Sequence, residues 1–180
     1  MIKNSRGGSL TEEHSLFHER YHYKGGNIGG GISYCFALMD GLRRMGGAVV
    51  GNPRHSVYGN NVLDIRRMAC SELAPKNTES YFLSKIIWWL KKNTECEKVL
   101  SFADLSAGHK GTIYKAANFK KIGETEPSMH VEWNGKLYHP RSLSIDREYS
   151  YKMREDLKTG KAKLVKGLPK SIWIYEIKSY

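Results

Sequence analysis

The chain has 180 residues, of which 40% are hydrophobic and 11% aromatic, and it carries a formal net charge of +11. This length and composition predict one folded domain with a hydrophobic core and exclude a disordered chain. The isoelectric point near 9.5 favours a polyanionic partner such as nucleic acid, although a soluble basic protein without such a partner has the same charge balance.

Cysteine usage and hydropathy narrow the class of protein. Cys35, Cys70 and Cys96 are widely spaced, and no Cys-x-x-Cys pair exists. Neither a zinc site nor a disulfide framework is indicated, so a reducing cytosol is the expected compartment. No apolar run approaches membrane-spanning length, and the N-terminus lacks the apolar core of a signal peptide. We therefore expect no membrane partner.

The N-terminal third reads as an irregular start followed by a helix and two strands. Residues 1–8 are expected to be loosely tied to the fold, and a helix then runs to about His22. The apolar run Ile32–Asp40 predicts a buried strand. The glycines within 41–47 predict a turn before a second, short strand at 48–51.

The centre of the sequence has the order of a βαβα unit. Strand Val62–Cys70 leads into a helix that starts at Asn77 or Thr78, and strand Lys98–Asp104 leads into a helical segment at 108–123. This order predicts that the two strands are parallel neighbours in an α/β fold. Ligands of such sheets bind beyond the carboxyl ends of the strands.

Charged residues in this unit suggest where a ligand would lie. Arg66 and Arg67 are adjacent in a strand and must face opposite sides, so one of them needs an anionic partner inside the fold or in a cleft. Lys76, Asn77 and Thr78 combine a lysine with the free N–H groups of a helix start, which predicts a pyrophosphate site. The aromatic residues of this helix keep a helical period and are expected in the core rather than in base stacking.

The C-terminal part predicts strands and a basic surface. Asn134 and Gly135 lie between two alternating runs and predict a hairpin with a type I′ turn. From Arg141 onward the chain has ten Lys or Arg and five Asp or Glu, and 171–177 predicts a last strand. We expect a core at 1–140 and a basic extension at 141–180, packed on or beside it.

This extension is predicted to hold nucleic acid through its cations, with a solvated edge and an ordinary closing strand as the alternative. The residues expected to contact DNA are Arg141, Arg147, Lys152, Arg154, Lys161 and Lys163.

The run from 108 to 123, which ends IYKAANFKKIG, resembles the final helix of the GNAT acyltransferase fold. Within that superfamily, VLDIRRMACSELAPKNTES and SFADLSAGHKGTIYKAANF are similar to the bacteriophage Mom proteins. The resemblance covers roughly 22–141 and is densest over 104–119. It implies an α/β fold with a GNAT-like mixed sheet flanked by helices. One departure is the loop at 71–77, which lacks the glycines that common GNAT enzymes use to bind pyrophosphate.

The resemblance implies a DNA modification enzyme. Mom proteins add a carbamoylmethyl (glycinamide-like) group to N6 of adenine in phage DNA and so protect it from host restriction. The implied partner is double-stranded DNA with a flipped adenine, and the implied location is the cytoplasm of the bacterial host. Two alternatives stay open: an ordinary GNAT N-acetyltransferase that uses acetyl-CoA on a small amine or protein, and a non-enzymatic DNA-binding protein. The oligomeric state is also open.

The same resemblance implies the catalytic residues. Asp104 corresponds to an acid at a strand end, Tyr114 to a helix tyrosine that assists the leaving group, and Arg66 to a strand arginine, while Tyr34 is a looser match. Asp104 and Tyr114 are expected to line one cleft at the strand ends, with Arg66 reaching it from the neighbouring strand and His22 and Tyr23 closing it from the N-terminal side. Each residue also has an alternative role that is purely structural. Asp104 could serve only to cap the following turn, and Tyr114 could serve only to fill the core.

The implied cofactors are a small donor and a metal ion. Acetyl-CoA or another small donor would bind at Lys76, Asn77 and Thr78. His22 and Tyr23 match a His-Tyr pair of the family, and together with Asp104 they have the ligand hardness that suits iron.

Overall fold

The computed structural model describes residues 2–6, 12–22, 31–53, 56–138, 140–144 and 148–177, with side chains from 12 onward except those of Ser56 and Arg141. The strands in these residues are β1 (Ile2–Arg6), β2 (Ile32–Asp40), β3 (Arg43–Gly51), β4 (Val62–Cys70), β5 (Lys98–Asp104), β6 (Lys120–Glu124), β7 (Met129–Trp133), β8 (Lys136–Tyr138), β9 (Lys163–Lys166) and β10 (Lys170–Glu176). The α-helices are α1 (Glu12–Tyr21), α2 (Thr78–Asn93), α3 (Thr112–Ala116) and α4 (Glu148–Lys158).

Seven strands form the main sheet in the order β1-β2-β3-β4-β5-β10-β6. All neighbouring strands are antiparallel except β4 and β5, which are parallel and are connected by α2. The expected parallel pair is therefore confirmed. The predicted α/β class, with a mixed sheet flanked by helices, is also confirmed.

Helix α2 packs its apolar side chains against one face of the sheet and so contributes to the main core. Phe82, Leu83, Ile86 and Leu90 are fully buried, and they recur at helical spacing against the strands. At 16 residues α2 is the longest described helix, and no helix in the described part of the chain is long and apolar enough to cross a membrane.

Strand β3 is longer than the sequence predicted, because Gly46 and Gly47 belong to the strand and not to a turn. A Cβ atom on Gly46 would lie 3.0 Å from the ring of Phe82 on α2, and one on Gly47 would lie 2.8 Å from the ring of Phe17 on α1. Successive strand residues face opposite sides, so α1 and α2 pack on opposite faces of the sheet. The glycines are there because both helices approach the strand closely.

The N-terminal segment was also predicted wrongly. Residues 2–6 form β1, which pairs with β2 over five residue pairs. The physical reason is that β2 would otherwise present a bare row of N–H and C=O groups at the edge of the sheet.

A second, smaller unit follows β6. Its sheet has the order β8-β7-β9, and α4 packs against it through a separate core that includes Val131, Trp133 and Met153. The hairpin turn has positive φ at Asn134 (50°) and Gly135 (71°), as a type I′ turn requires. The boundary expected at residue 140 runs through this unit.

The last strand returns to the main sheet. Strand β10 lies between β5 and β6 and pairs with β5 along its whole length. Part of the segment 141–180 is therefore an interior strand of the main sheet, because the edge of β5 needs a partner strand.

Candidate active site

Strands β4 and β5 separate partway along their length. They pair from Val62 and Lys98 to Ile65 and Ser101, and beyond these residues each continues only with its outer neighbour. A β-bulge in β4 accompanies the separation, since the pairing with β3 skips Arg66. A bulge bends its strand and increases its twist. The result is an opening between residues 66–70 of β4 and 102–104 of β5.

Tyr114 lies at this opening on the side of α2. Its ring is 9% exposed and packs 5.6 Å from the ring of Phe119 and 5.9 Å from that of Trp173. Helix α3 can sit this close to Trp173 because Gly111 precedes it, with φ of 77° and an imagined Cβ only 2.4 Å from the indole. The helix predicted at 108–123 was too long, because the structure has only the five residues of α3 there and β6 follows.

The Tyr114 phenol is buried beside two polar side chains and is protonated at neutral pH. Burial raises the pKa of Tyr114 above its usual 10.0, the neighbouring Ser101 hydroxyl lowers it, and the charge of Asp64 raises it. Ser101 is fully buried, and its hydroxyl faces the phenol without forming a regular hydrogen bond among the described residues. Asp64 is also buried, at 6% exposure. Sequence reasoning did not single out Ser101 or Asp64.

Asp104 lies at the same opening but on the opposite face. Val99 and Ala103 belong to the core beneath α2, so alternation along β5 turns Phe102 and Asp104 the other way. Asp104 is 8% exposed. One carboxylate oxygen accepts the Ser106 N–H at 3.1 Å, and the other lies 4.0 Å from Nζ of Lys170. Its carboxylate therefore does cap the following turn.

A partly buried aromatic pair lies on the Asp104 face. Phe102 packs edge to face against Tyr58, with ring centroids 6.2 Å apart and planes at 71°. Tyr58 belongs to the 3₁₀ turn Ser56–Tyr58 between β3 and β4. Sequence reasoning missed this pair, because nothing local in the chain links the two rings.

Arg66 was expected to reach this cleft, and Tyr34 was a looser catalytic candidate. The Arg66 guanidinium donates a hydrogen bond to the carbonyl of Asn52 and lies close to Gly31, at the far end of β3 and β2. Tyr34 packs its ring 5.3 Å from that of Trp89 on α2, at the margin of the main core. These contacts do not bring Arg66 or Tyr34 to Asp104.

The expected pyrophosphate site is the exposed start of α2. Lys76 and Asn77 are exposed, and Asn77 occupies the N-cap position with a φ of 69° but makes no side-chain cap. The Thr78 hydroxyl donates to the carbonyl of Pro75 at 2.6 Å. Lys76 suits a phosphate group, whereas Glu79 in the first turn opposes one.

Helix α1 buries an unexpected row of histidines. His14 and His18 are buried, and the ring of His22 lies 5.9 Å from that of His18. Burial lowers the pKa of His18 to about 3, with further lowering by the charges of His22 and Arg44. His18 is thus neutral at physiological pH.

The residues suggested for iron lie only partly within the described part of the chain. Tyr23 lies outside the described residues. No group of three or more His, Cys, Asp or Glu side chains among the described residues is arranged to hold a metal ion. His22 is instead packed beside His18, and Asp104 faces Ser106 and Lys170.

The cations expected to contact DNA divide into three groups. Lys152, Lys161 and Lys163 are exposed on the small unit. Arg154 instead donates to the carbonyl of Leu143 and stacks over the ring of Tyr151, so it stabilises the unit itself. The Arg141 side chain and the whole of Arg147 lie outside what the structure describes.

Solved acetyltransferases share this fold. A Bacillus subtilis acetyltransferase in complex with CoA superposes with a TM-score of 0.56 and 12% identity, over 99% of this chain and 100% of that one. The ribosomal-protein-S18-alanine N-acetyltransferase of Escherichia coli gives a TM-score of 0.57 at 12% identity, over 100% and 96%. At these identities the likeness shows the fold alone, and it is the GNAT fold that the sequence suggested.

Sequence comparison is more specific. Methylcarbamoylase mom of Escherichia phage Mu is 36% identical over 85 residues, which are 46% of this chain and 34% of that protein. The aligned region thus spans about a third of that relative's length. The pattern of the Mom protein family matches residues 18–175, which include β2 to β9, most of β10 and the opening between β4 and β5. The chain therefore belongs to the Mom protein family.

Proposed function

We propose that this chain is a transferase that modifies adenine in DNA, adding a carbamoylmethyl-type group to N6 of the base. The observation that carries the proposal is the opening between β4 and β5, flanked by Tyr114 on one face and Asp104 on the other, in a chain of the Mom family. The name of the phage Mu relative, a methylcarbamoylase, supports the type of group transferred.

The two faces of the opening suggest two different roles. Adenine would enter from the Asp104 face, and the donor would lie toward Tyr114. As the new N6–C bond forms, one proton leaves N6 for the Asp104 carboxylate, and the bond from carbon to the leaving group breaks. The leaving group takes the proton of the Tyr114 phenol, which is in its protonated form at neutral pH. The base must first leave the DNA helix.

The donor is proposed to be a carrier of the CoA type, which when bound supplies an activated group. A CoA complex of an acetyltransferase with this fold supports this class of donor. Lys76, Asn77 and Thr78 would then hold its phosphates at the start of α2, with the Lys76 charge compensating for the absent glycines. Arg66 is kept as a candidate for holding an anionic group, although its described contacts lie toward Asn52.

Double-stranded DNA is the proposed partner. The exposed lysines of the small unit, Lys152, Lys161 and Lys163, support a contact with phosphates. The biological role would be protection of phage DNA from host restriction, in the cytoplasm of the host.

An ordinary N-acetyltransferase is the second candidate. Superposition over nearly the whole length of two acetyltransferases supports it. A DNA-binding protein without catalytic activity is the third, and the buried tyrosine at the opening gives no support to it.

Mass spectrometry of nucleosides decides among these functions. DNA from cells that express the chain should contain a new adenine derivative, and its mass identifies the group added. Asp104→Asn should abolish the derivative while the melting temperature stays close to that of the wild type. Unmodified DNA together with acetylated protein or small amines would establish the second candidate and refute our proposal.

A further inference from the structure

The aromatic pair Phe102 and Tyr58 lies where β5 leaves β4. Phe102 is the first residue of β5 beyond the last pair, Ile65 with Ser101. Both rings remain partly exposed. In the described part of the chain, neither ring belongs to the main core or to that of the small unit.

The neighbourhood of this pair suits a heteroaromatic ring with an amino group. Phe102 and Asp104 are two residues apart on one strand and so face the same side of the sheet. An aromatic surface beside a carboxylate offers stacking to the flat face of a base and a hydrogen-bond acceptor to its exocyclic amine. Tyr58 meets Phe102 edge to face, so the two rings form a corner and not a flat sandwich.

We propose that Phe102 and Tyr58 form the binding pocket for an unstacked adenine base, with Phe102 as the stacking surface and Tyr58 as the adjoining wall. This inference rests on the proposed function, because it takes the substrate to be adenine in DNA. It adds the residues that recognise the base, and these are separate from the groups that carry out the chemistry.

Binding of single-stranded probes tests the pocket without any reaction. One probe is an oligonucleotide of about 12 deoxyadenosines, and the other is an abasic strand of the same length, so both offer the same phosphates. Wild type should bind the adenine strand more tightly than the abasic strand, by roughly 5- to 150-fold in Kd for one stacked base.

Three variants test which aromatic side chain causes the preference for the adenine strand. Phe102→Leu should bring the ratio of the abasic-strand Kd to the adenine-strand Kd close to one, while the Kd for the abasic strand stays unchanged. Phe102→Tyr keeps an aromatic face and should keep the ratio. Tyr81→Leu, which removes an aromatic side chain 53% exposed on α2, is the matched control and should also keep it.

The outcomes separate this inference from the proposed function. A wild-type protein that binds both strands equally, or a Phe102→Leu variant that keeps the preference, would overturn the pocket. If DNA from expressing cells is modified but Phe102→Leu keeps the preference for the adenine strand, the proposed pocket is refuted and the proposed function is supported. If DNA is unmodified but the preference for the adenine strand depends on Phe102, the proposed pocket is supported and the proposed function is refuted.

Discussion

Replacing Tyr114 with Phe removes one buried oxygen atom from the proposed site and leaves the ring in place. The contacts of that ring with Phe119 and Trp173 are retained. The lost hydroxyl faces Ser101 without a regular hydrogen bond, so the free energy of unfolding should change by no more than about 1 kcal/mol. Loss of a general acid should lower the rate of adenine modification by roughly 10²- to 10⁴-fold.

The pH dependence of stability gives an independent measure of the same phenol. Burial raises the pKa of Tyr114 above 10.0 in the folded protein. Above pH 10 the unfolded chain therefore binds fewer protons than the folded one, and the wild type loses stability as pH rises. Tyr114→Phe lacks this group, so its stability should fall less steeply over the same range.

The assay is the yield of modified adenine per unit time, measured by mass spectrometry at pH 7 to 9, together with urea unfolding. Tyr81→Phe is the matched control, since it removes a hydroxyl from an exposed tyrosine on α2. The reasoning is refuted if Tyr114→Phe modifies adenine at the wild-type rate while remaining folded. A variant that loses both activity and several kcal/mol of stability would show that the hydroxyl is structural.

Three further changes test other parts of the structure. Gly111→Ala should destabilise the fold by about 2 kcal/mol or more in urea unfolding, because alanine is strained at a φ of 77° and its Cβ would meet Trp173 at 2.4 Å. Because burial lowers the pKa of His18 from 6.5 to about 3, the unfolded chain binds a proton that the folded protein excludes. Stability should therefore fall as pH drops below about 6.5, by up to ~1.4 kcal/mol per pH unit, and less in His18→Leu. Lys161→Glu combined with Lys163→Glu should reduce the slope of log K against log salt for DNA binding by about two, with an unchanged melting temperature; an unchanged slope would place the DNA contact elsewhere.

Local patterns were enough to predict the elements that carry the site. The apolar run of β4, the helical spacing of α2 and the second apolar run of β5 together specify a parallel pair joined by a helix, and the structure has that pair. The Asn-Gly turn was equally local, because its φ values depend on two adjacent residues. Such signals are set by near neighbours in the chain and need no knowledge of tertiary contacts.

The features missed depend on contacts between distant segments. Gly46 and Gly47 read as a turn, and only the rings of Phe82 and Phe17 on two helices explain why a strand needs them. Burial of Ser101 beside Tyr114 depends on how α3 packs over β5. The Phe102–Tyr58 pair likewise forms only when the turn Ser56–Tyr58 lies beside β5.

The small unit is attached to the main sheet through two chain segments that hydrogen bond to each other. The Thr125 N–H donates to the Lys170 carbonyl at 2.9 Å, and the Lys170 N–H donates to the Thr125 hydroxyl at 3.0 Å. A tight turn of about two to four residues could therefore replace 127–168 while β6 and β10 stay paired. The small unit is thus an insert joined to the main sheet at two adjacent residues. A shortened chain of this kind would test whether the proposed chemistry on a free base is separable from the proposed contact with a duplex.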